Sequence, residues 1–187
     1  MIGKKGRAQT TLADIGEAAG YSRGLPAAIF GSKENLVFKA AETLITVPTV
    51  PGLSLFTVQT TKGVAGMLEA IESWFLVAQG HQEVLRGILV LWSEGLAGNA
   101  ASRSPELYNL FQTFENSIRL RFQEFLAHAR KSDELRPEID IAAQSIHMVG
   151  AIVGILWQWM IAPDAFDLAG VGRSYTRELH RTLTGMA

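Results

Sequence analysis

The chain has 187 residues, 48% of them hydrophobic and 19% charged, so it is a globular protein of one large domain or a small one plus a medium one, not a disordered tail. It contains no cysteine, which excludes a disulfide framework and thiolate metal sites and fits a reducing compartment. The net charge of −1 is silent about polyanions, but its distribution is not: residues 1–39 carry six basic groups against three acidic ones, leaving −4 on the remainder. A basic head on an acidic body points to a polyanionic partner at the head.

Apolar residues recur at spacings of three and four and period-two alternation is nearly absent, which predicts an all-α protein. The opening MIGKKGRAQT is charged and has no apolar run, so no signal peptide is expected and the predicted location is the cytoplasm. TTLADIGEAAG reads as a short helix. Thr10 or Thr11 caps it, Thr11 with Asp14 at the capping-box position, Ile15 and Ala19 face inward, and Gly20 takes the left-handed position that ends it. Tyr21 lies in a three-residue turn, and Ser22 is placed to cap a second short helix whose Leu25, Ile29 and Phe30 hold it to its neighbours. Gly31 breaks that helix and Ser32 caps a third, with Lys33 in its first turn and an apolar face of Leu36, Ala40, Leu44 and Val47. The segment TVPTVPGLSLFTVQTTK then carries two prolines and a glycine and cannot continue a helix. It separates a head, residues 1–47, from a body, residues 48–187.

The body reads as five helices, over 64–78, 84–96, 105–131, 139–161 and from 163 or 164 to 183. Ser104-Pro105-Glu106 is a strong start signal for the third, with a cap, a proline at the first helical position and an acid at the positive end of the dipole. Gly170 and Gly172 are expected to break the fifth. The apolar run Ile141–Ile161 has the length of a membrane span. It nevertheless contains Gln144, Ser145, His147 and Gln158 and lacks flanking Lys and Arg, so the expectation is a helix buried in a bundle or a dimer interface, and no membrane.

Helix, glycine turn, short helix is helix-turn-helix spacing, in which the second helix enters the major groove of DNA. TTLADIGEAAGYSRG followed by FGSKENL resembles the DNA-binding head of TetR-family transcriptional regulators over residues 10–36, with caps, turn glycine, phenylalanine and SKE in register. The resemblance implies an all-α homodimer with an N-terminal helix-turn-helix domain and a C-terminal domain that binds a small-molecule effector and dimerises through its last two long helices. It implies a double-stranded, pseudo-palindromic operator as partner, no cofactor and no metal, and repression relieved by a small hydrophobic effector. Carried over by position, Thr10, Thr11, Ser22 and Lys33 fall near phosphates, and Arg23, Gly24, Leu25 and Ala28 lie where the recognition helix meets bases.

Two departures stand out. The family's usual recognition-helix tyrosine is Ala27 here and its usual histidine or tyrosine is Ile29, so Arg23 is the only strong hydrogen-bonding base reader left, with Leu25 or Ala28 against thymine methyls. Aligning Gly6 with the glycine that ends the family's first helix also leaves only Met1 to Lys5 to form it. The expectation is that the true chain starts upstream or that this form binds DNA weakly. The competing reading is a dimeric helical ligand-binding protein with impaired or no DNA binding.

In the body, Trp74, Trp92, Phe111 and Phe114 are candidates for an apolar, aromatic effector pocket, with Gln144 and His147 as polar anchors. Ala143, Gly150, Gly154 and Trp157 form one stripe on the apolar helix, and with Tyr175 and Leu179 of the last helix they are the candidate dimer interface. An enzyme is not expected. No Ser-His-Asp order with supporting turns, HExxH, phosphate-binding glycine loop or Glu-xx-His pairing is present, and His81, His128, His147 and His180 are scattered.

Overall fold

The computed structural model describes residues 6, 9–46, 63–96 and 104–185. Among the described residues the chain is all-α, as expected, with α1 (Leu12–Ala18), α2 (Leu25–Phe30), α3 (Lys33–Thr46), α4 (Val64–Gly80), α5 (Gln82–Leu96), α6 (Pro105–Lys131), α7 (Ile141–Ile161) and α8 (Leu168–Thr184). The proline-rich segment expected to separate head from body falls on residues 47–62, and the short stretch before Gly6 on residues 1–5; both lie outside the described residues.

Local signals account for most helix ends. The Thr11 hydroxyl accepts from the Asp14 N–H at 3.1 Å while the Asp14 carboxylate accepts from the Thr11 N–H at 3.0 Å, a complete capping box at α1. Gly20, at φ +78°, turns the chain out of it. The Ser32 hydroxyl accepts from the Asn35 N–H at 3.1 Å to start α3, and the Ser104 hydroxyl accepts from the Leu107 N–H at 3.4 Å to start α6. Asp140 accepts from the N–H groups of Ala142 and Ala143, so α7 begins at Ile141 and not at 139.

Two ends differ from expectation. Ser22 does not cap α2; the cap position is Gly24, and the link from α1 runs through residues 19–24 rather than three. The Ser22 carbonyl, not its hydroxyl, serves there, accepting from the Leu25 N–H at 3.1 Å. The last helix starts at Leu168 and passes unbroken through Gly170 and Gly172. Tertiary packing overrides the low helix propensity of glycine there, because Gly172 lies directly against the Phe75 ring.

The chain divides into two compact units, one from Met1–Thr49 and His81–Thr113, the other from Val50–Gly80 and Phe114–Ala187. In the first, Val37 and Ala41 of α3 pack with Leu91 of α5 and with Leu107 and Phe111 of α6, flanked by Phe38, Ile45, Ile88 and Trp92. The Trp92 and Phe111 rings stack with centroids 6.2 Å apart. In the second, α4 runs along α8 in the most extensive helix pairing among the described residues. Thr176, fully buried, donates to the Glu72 carboxylate, and the Gln79 side-chain carbonyl accepts from the Ala169 N–H at 2.9 Å. The Glu134 carboxylate accepts from the Val64 N–H at 2.9 Å and so caps α4 from a loop distant in sequence. Met67, Ile71 and Phe75 of α4, Leu126 of α6, Met148 of α7 and Leu168 and Leu183 of α8 are fully buried.

Candidate nucleic-acid interface

The head is held together by one close approach. Gly16 is the buried residue of α1, and Pro26 is the buried residue of α2. A Cβ on Gly16 would lie 2.7 Å from the Ser22 carbonyl oxygen and 3.0 Å from Pro26 Cδ, so only glycine lets α2 seat on α1. Pro26 is therefore a packing contact. Asn35 closes the other end, its side-chain N–H donating to the Phe30 carbonyl at 2.9 Å, which ties α3 to the end of α2. Gly31, at φ +71°, makes the bend between them. Sequence reasoning misses Gly16, Pro26 and Asn35, because none belongs to a periodic apolar face.

Of the predicted DNA-facing residues, Thr11, Ser22, Arg23, Gly24 and Ala28 are exposed, and Leu25 and Lys33 are half-buried. Thr10 is fully buried and its hydroxyl donates to the Gly6 carbonyl at 2.8 Å, which is the work of a packing residue. Arg23 lies 3.9 Å from the Glu17 carboxylate with both side chains mostly in solvent, a pairing weak enough to exchange for another partner. Ile29 departs from its expected role: 63% of it is exposed, so it does not hold the head together. Ala19 likewise faces solvent rather than inward. With Ala27, Ala28 and Ile29 outward, the exposed surface of α2 carries no side-chain hydrogen-bonding group at all.

The effector candidates fall in both compact units. Trp92 and Phe111 stack against α3 in the first. In the second, Trp74 is buried with its ring edge-on to Phe75 at 5.3 Å, Phe114 and Gln144 are half-buried, and His147 is exposed.

His147 shares an outward face of α7 with Ile146, Gly150, Trp157 and Ile161, and Trp157 and Ile161 are 49% and 72% exposed. A Cβ on Gly150 or Gly154 would meet nothing within 4 Å, so the protomer leaves open space over both. Ala143 and Gly154 are half-buried beside this face. Leu179 is buried inside the protomer. Tyr175 is half-buried, and burial pushes its hydroxyl pKa up from 10 to about 12. By length and composition α7 is the one helix among the described residues that could cross a membrane.

The sequence matches no family model and no curated protein. Solved structures do resemble the fold. NalD of Pseudomonas aeruginosa, the secondary repressor of the MexAB-OprM multidrug efflux pump, superposes with a TM-score of 0.73 at 17% identity, over 98% of this chain and 89% of that one. SmeT of Stenotrophomonas maltophilia, the repressor of the efflux pump SmeDEF, gives 0.72 at 19%, over 96% and 82%, and SmeT has also been solved in complex with triclosan. The TetR-family transcriptional regulator PfmR of Thermus thermophilus gives 0.63 at 19%, over 96% and 92%. The chain has the fold of these regulators.

Proposed function

We propose that this chain, which has the fold of the TetR-family regulators, is a ligand-responsive, DNA-binding transcriptional repressor and not an enzyme. The observation that carries the reading is the helix-turn-helix itself: a capped α1, a left-handed Gly20 and a short α2 seated on α1 through Gly16 and Pro26 with its opposite face exposed. Arg23 supplies the charge at the base-reading end, and Thr11, Ser22 and Lys33 are the candidate phosphate contacts. Residues 1–47 act as the DNA-binding head and 48–187 as the effector-binding and dimerising body. The chain works in the cytoplasm, where its operator is.

The effector is small and hydrophobic. Support comes from the aromatic residues of the body, Trp92 and Phe111 in one compact unit and Trp74 and Phe114 in the other, and from the triclosan complex of SmeT. The Trp92–Phe111 stack packs on α3, and α3 is joined to α2 by the Gly31 bend and the Asn35–Phe30 hydrogen bond. A ligand that disturbs the stack would shift α3 and with it the recognition helix. The homodimer forms through the outward face of α7, together with Tyr175 of α8. That face is apolar apart from His147, is unpartnered in the protomer, and has open space over Gly150 and Gly154.

The test is selection of bound sequences from a randomised duplex pool, followed by mobility-shift titration at several salt concentrations. The expected result is a pseudo-palindromic site bound by two chains, with affinity falling steeply as salt rises. Recovery of no enriched sequence would refute the reading. Apolar aromatic compounds that quench tryptophan fluorescence should also release the duplex.

A further inference from the structure

We infer that the recognition helix reads its operator chiefly through thymine methyl groups, with Ile29 as the principal specificity-determining residue. The inference rests on the regulator reading above and deepens it by naming what α2 recognises. Sequence in the major groove is distinguished by hydrogen-bond donors and acceptors and by one apolar feature, the C5-methyl of thymine. The six residues of α2 are Leu-Pro-Ala-Ala-Ile-Phe, so no side chain along the helix can donate or accept a hydrogen bond. Pro26 is spent on Gly16, and Phe30 is half-buried.

Leu25, Ala27, Ala28 and Ile29 remain, and Leu25, Ala28 and Ile29, at positions i, i+3 and i+4, share one face of a helix. Leu25 is half-buried and Ala28 is short, whereas Ile29 projects a branched aliphatic side chain into solvent. A β-branched side chain held outward loses little further freedom on contact, which suits it to a small apolar target. What favours a nucleic acid over an apolar protein surface is the charge of the segment: residues 1–39 carry twice as many basic groups as acidic ones, and Arg23 is exposed just before α2. Arg23, N-terminal to the helix, is placed for a guanine at one edge of the contacted bases. The half-site is accordingly expected to set a guanine beside a run containing thymines.

A duplex recovered from the randomised pool supplies the probe. Each thymine in a half-site is replaced in turn by deoxyuridine, which removes the methyl and leaves every hydrogen-bonding group in place. Binding by the full chain should weaken about fourfold for each thymine under α2, the effect of losing one buried carbon. Ile29→Ala should weaken binding to the thymine duplex by several-fold and add no further loss on the deoxyuridine duplex, because the two changes remove the same contact. Ile29 is exposed in the free protein, so this variant should fold as the parent does, and unchanged circular dichroism and melting would verify it.

Equal affinity for thymine and deoxyuridine duplexes would overturn the inference while leaving the regulator reading intact. So would an Ile29→Ala loss of the same size on both duplexes. Failure of the parent chain to enrich any duplex would overturn the regulator reading, and the inference with it.

Discussion

Gly16 bears more on the head than any residue of the recognition helix. A methyl there would meet the Ser22 carbonyl oxygen at 2.7 Å, a backbone atom that cannot swing aside. Gly16→Ala should therefore lift α2 off α1, destabilise the head by about 1–3 kcal/mol as other overpacked sites do, and abolish duplex binding. Hydrogen exchange at the amides of α1 and α2 would register the loosening, and unchanged protection there would count against the packing account. Tyr175 offers a second test at this scale. Its pKa of about 12 lies above the usual 10, so the folded chain keeps a proton that the unfolded chain gives up. Its contribution to stability is full below pH 10 and is lost as pH rises from 10 towards 12. Denaturation midpoints measured across that window should fall for the parent and fall less for Tyr175→Phe.

At the scale of elements, the α4–α8 pairing shows why a helix predicted to break does not. Gly170 and Gly172 weaken α8 by propensity, yet a Cβ on Gly172 would lie 2.6 Å from the Phe75 ring. The glycine is what allows the two helices to approach, and the burial of Phe75 offsets its low propensity. Gly172→Ala should lower the melting temperature despite its better helix propensity, at a cost of about 1–3 kcal/mol. Phe75→Leu should not relieve that loss, because leucine keeps the Cβ and Cγ that the new methyl would meet at 2.7 Å. A full rescue in a double-mutant cycle would show that only the outer ring is the obstacle. The helices themselves are legible in the sequence because long periodic segments and caps are local features: α6 spans the residues its periodicity predicts, and α1, α3 and α6 start at the caps read from Thr11, Ser32 and Ser104. The six-residue α2 is not legible in the same way. It makes fewer than two turns, too few for periodicity to define a buried face, and so the sequence pattern assigns Ile29 to packing and passes over Pro26.

For the whole molecule, the decisive surface is the outward face of α7. Ile146, Trp157 and Ile161 are exposed together there. A Cβ on Gly150 or Gly154 would meet nothing within 4 Å in the protomer, so a side chain can leave either Cα without strain. The double variant Gly150→Leu with Gly154→Leu should keep its helical circular dichroism, and its helix should gain in propensity. It should nevertheless sediment as a monomer where the parent sediments as a dimer. A parent chain that is monomeric at micromolar concentration, or a double variant that still pairs, would remove α7 as the interface. Loss of the dimer should also weaken binding to a two-half-site duplex, since the second half-site then no longer adds to the affinity.

The all-α class, the helix-turn-helix and the resemblance to the TetR-family head are all written in the order of residues, because capping boxes, left-handed glycines and proline starts act between residues only a few positions apart. The apolar character of α7 is written there too. Tertiary structure alone decides which apolar residues are spent inside and which are left outside: Pro26 against Gly16, Phe75 against Gly172 and Leu179 in the core, but Ile29 and Trp157 in solvent. The reason is physical. Burial depends on what arrives from elsewhere in the chain, and a Cβ-sized gap between two helices leaves no periodic trace in either of them.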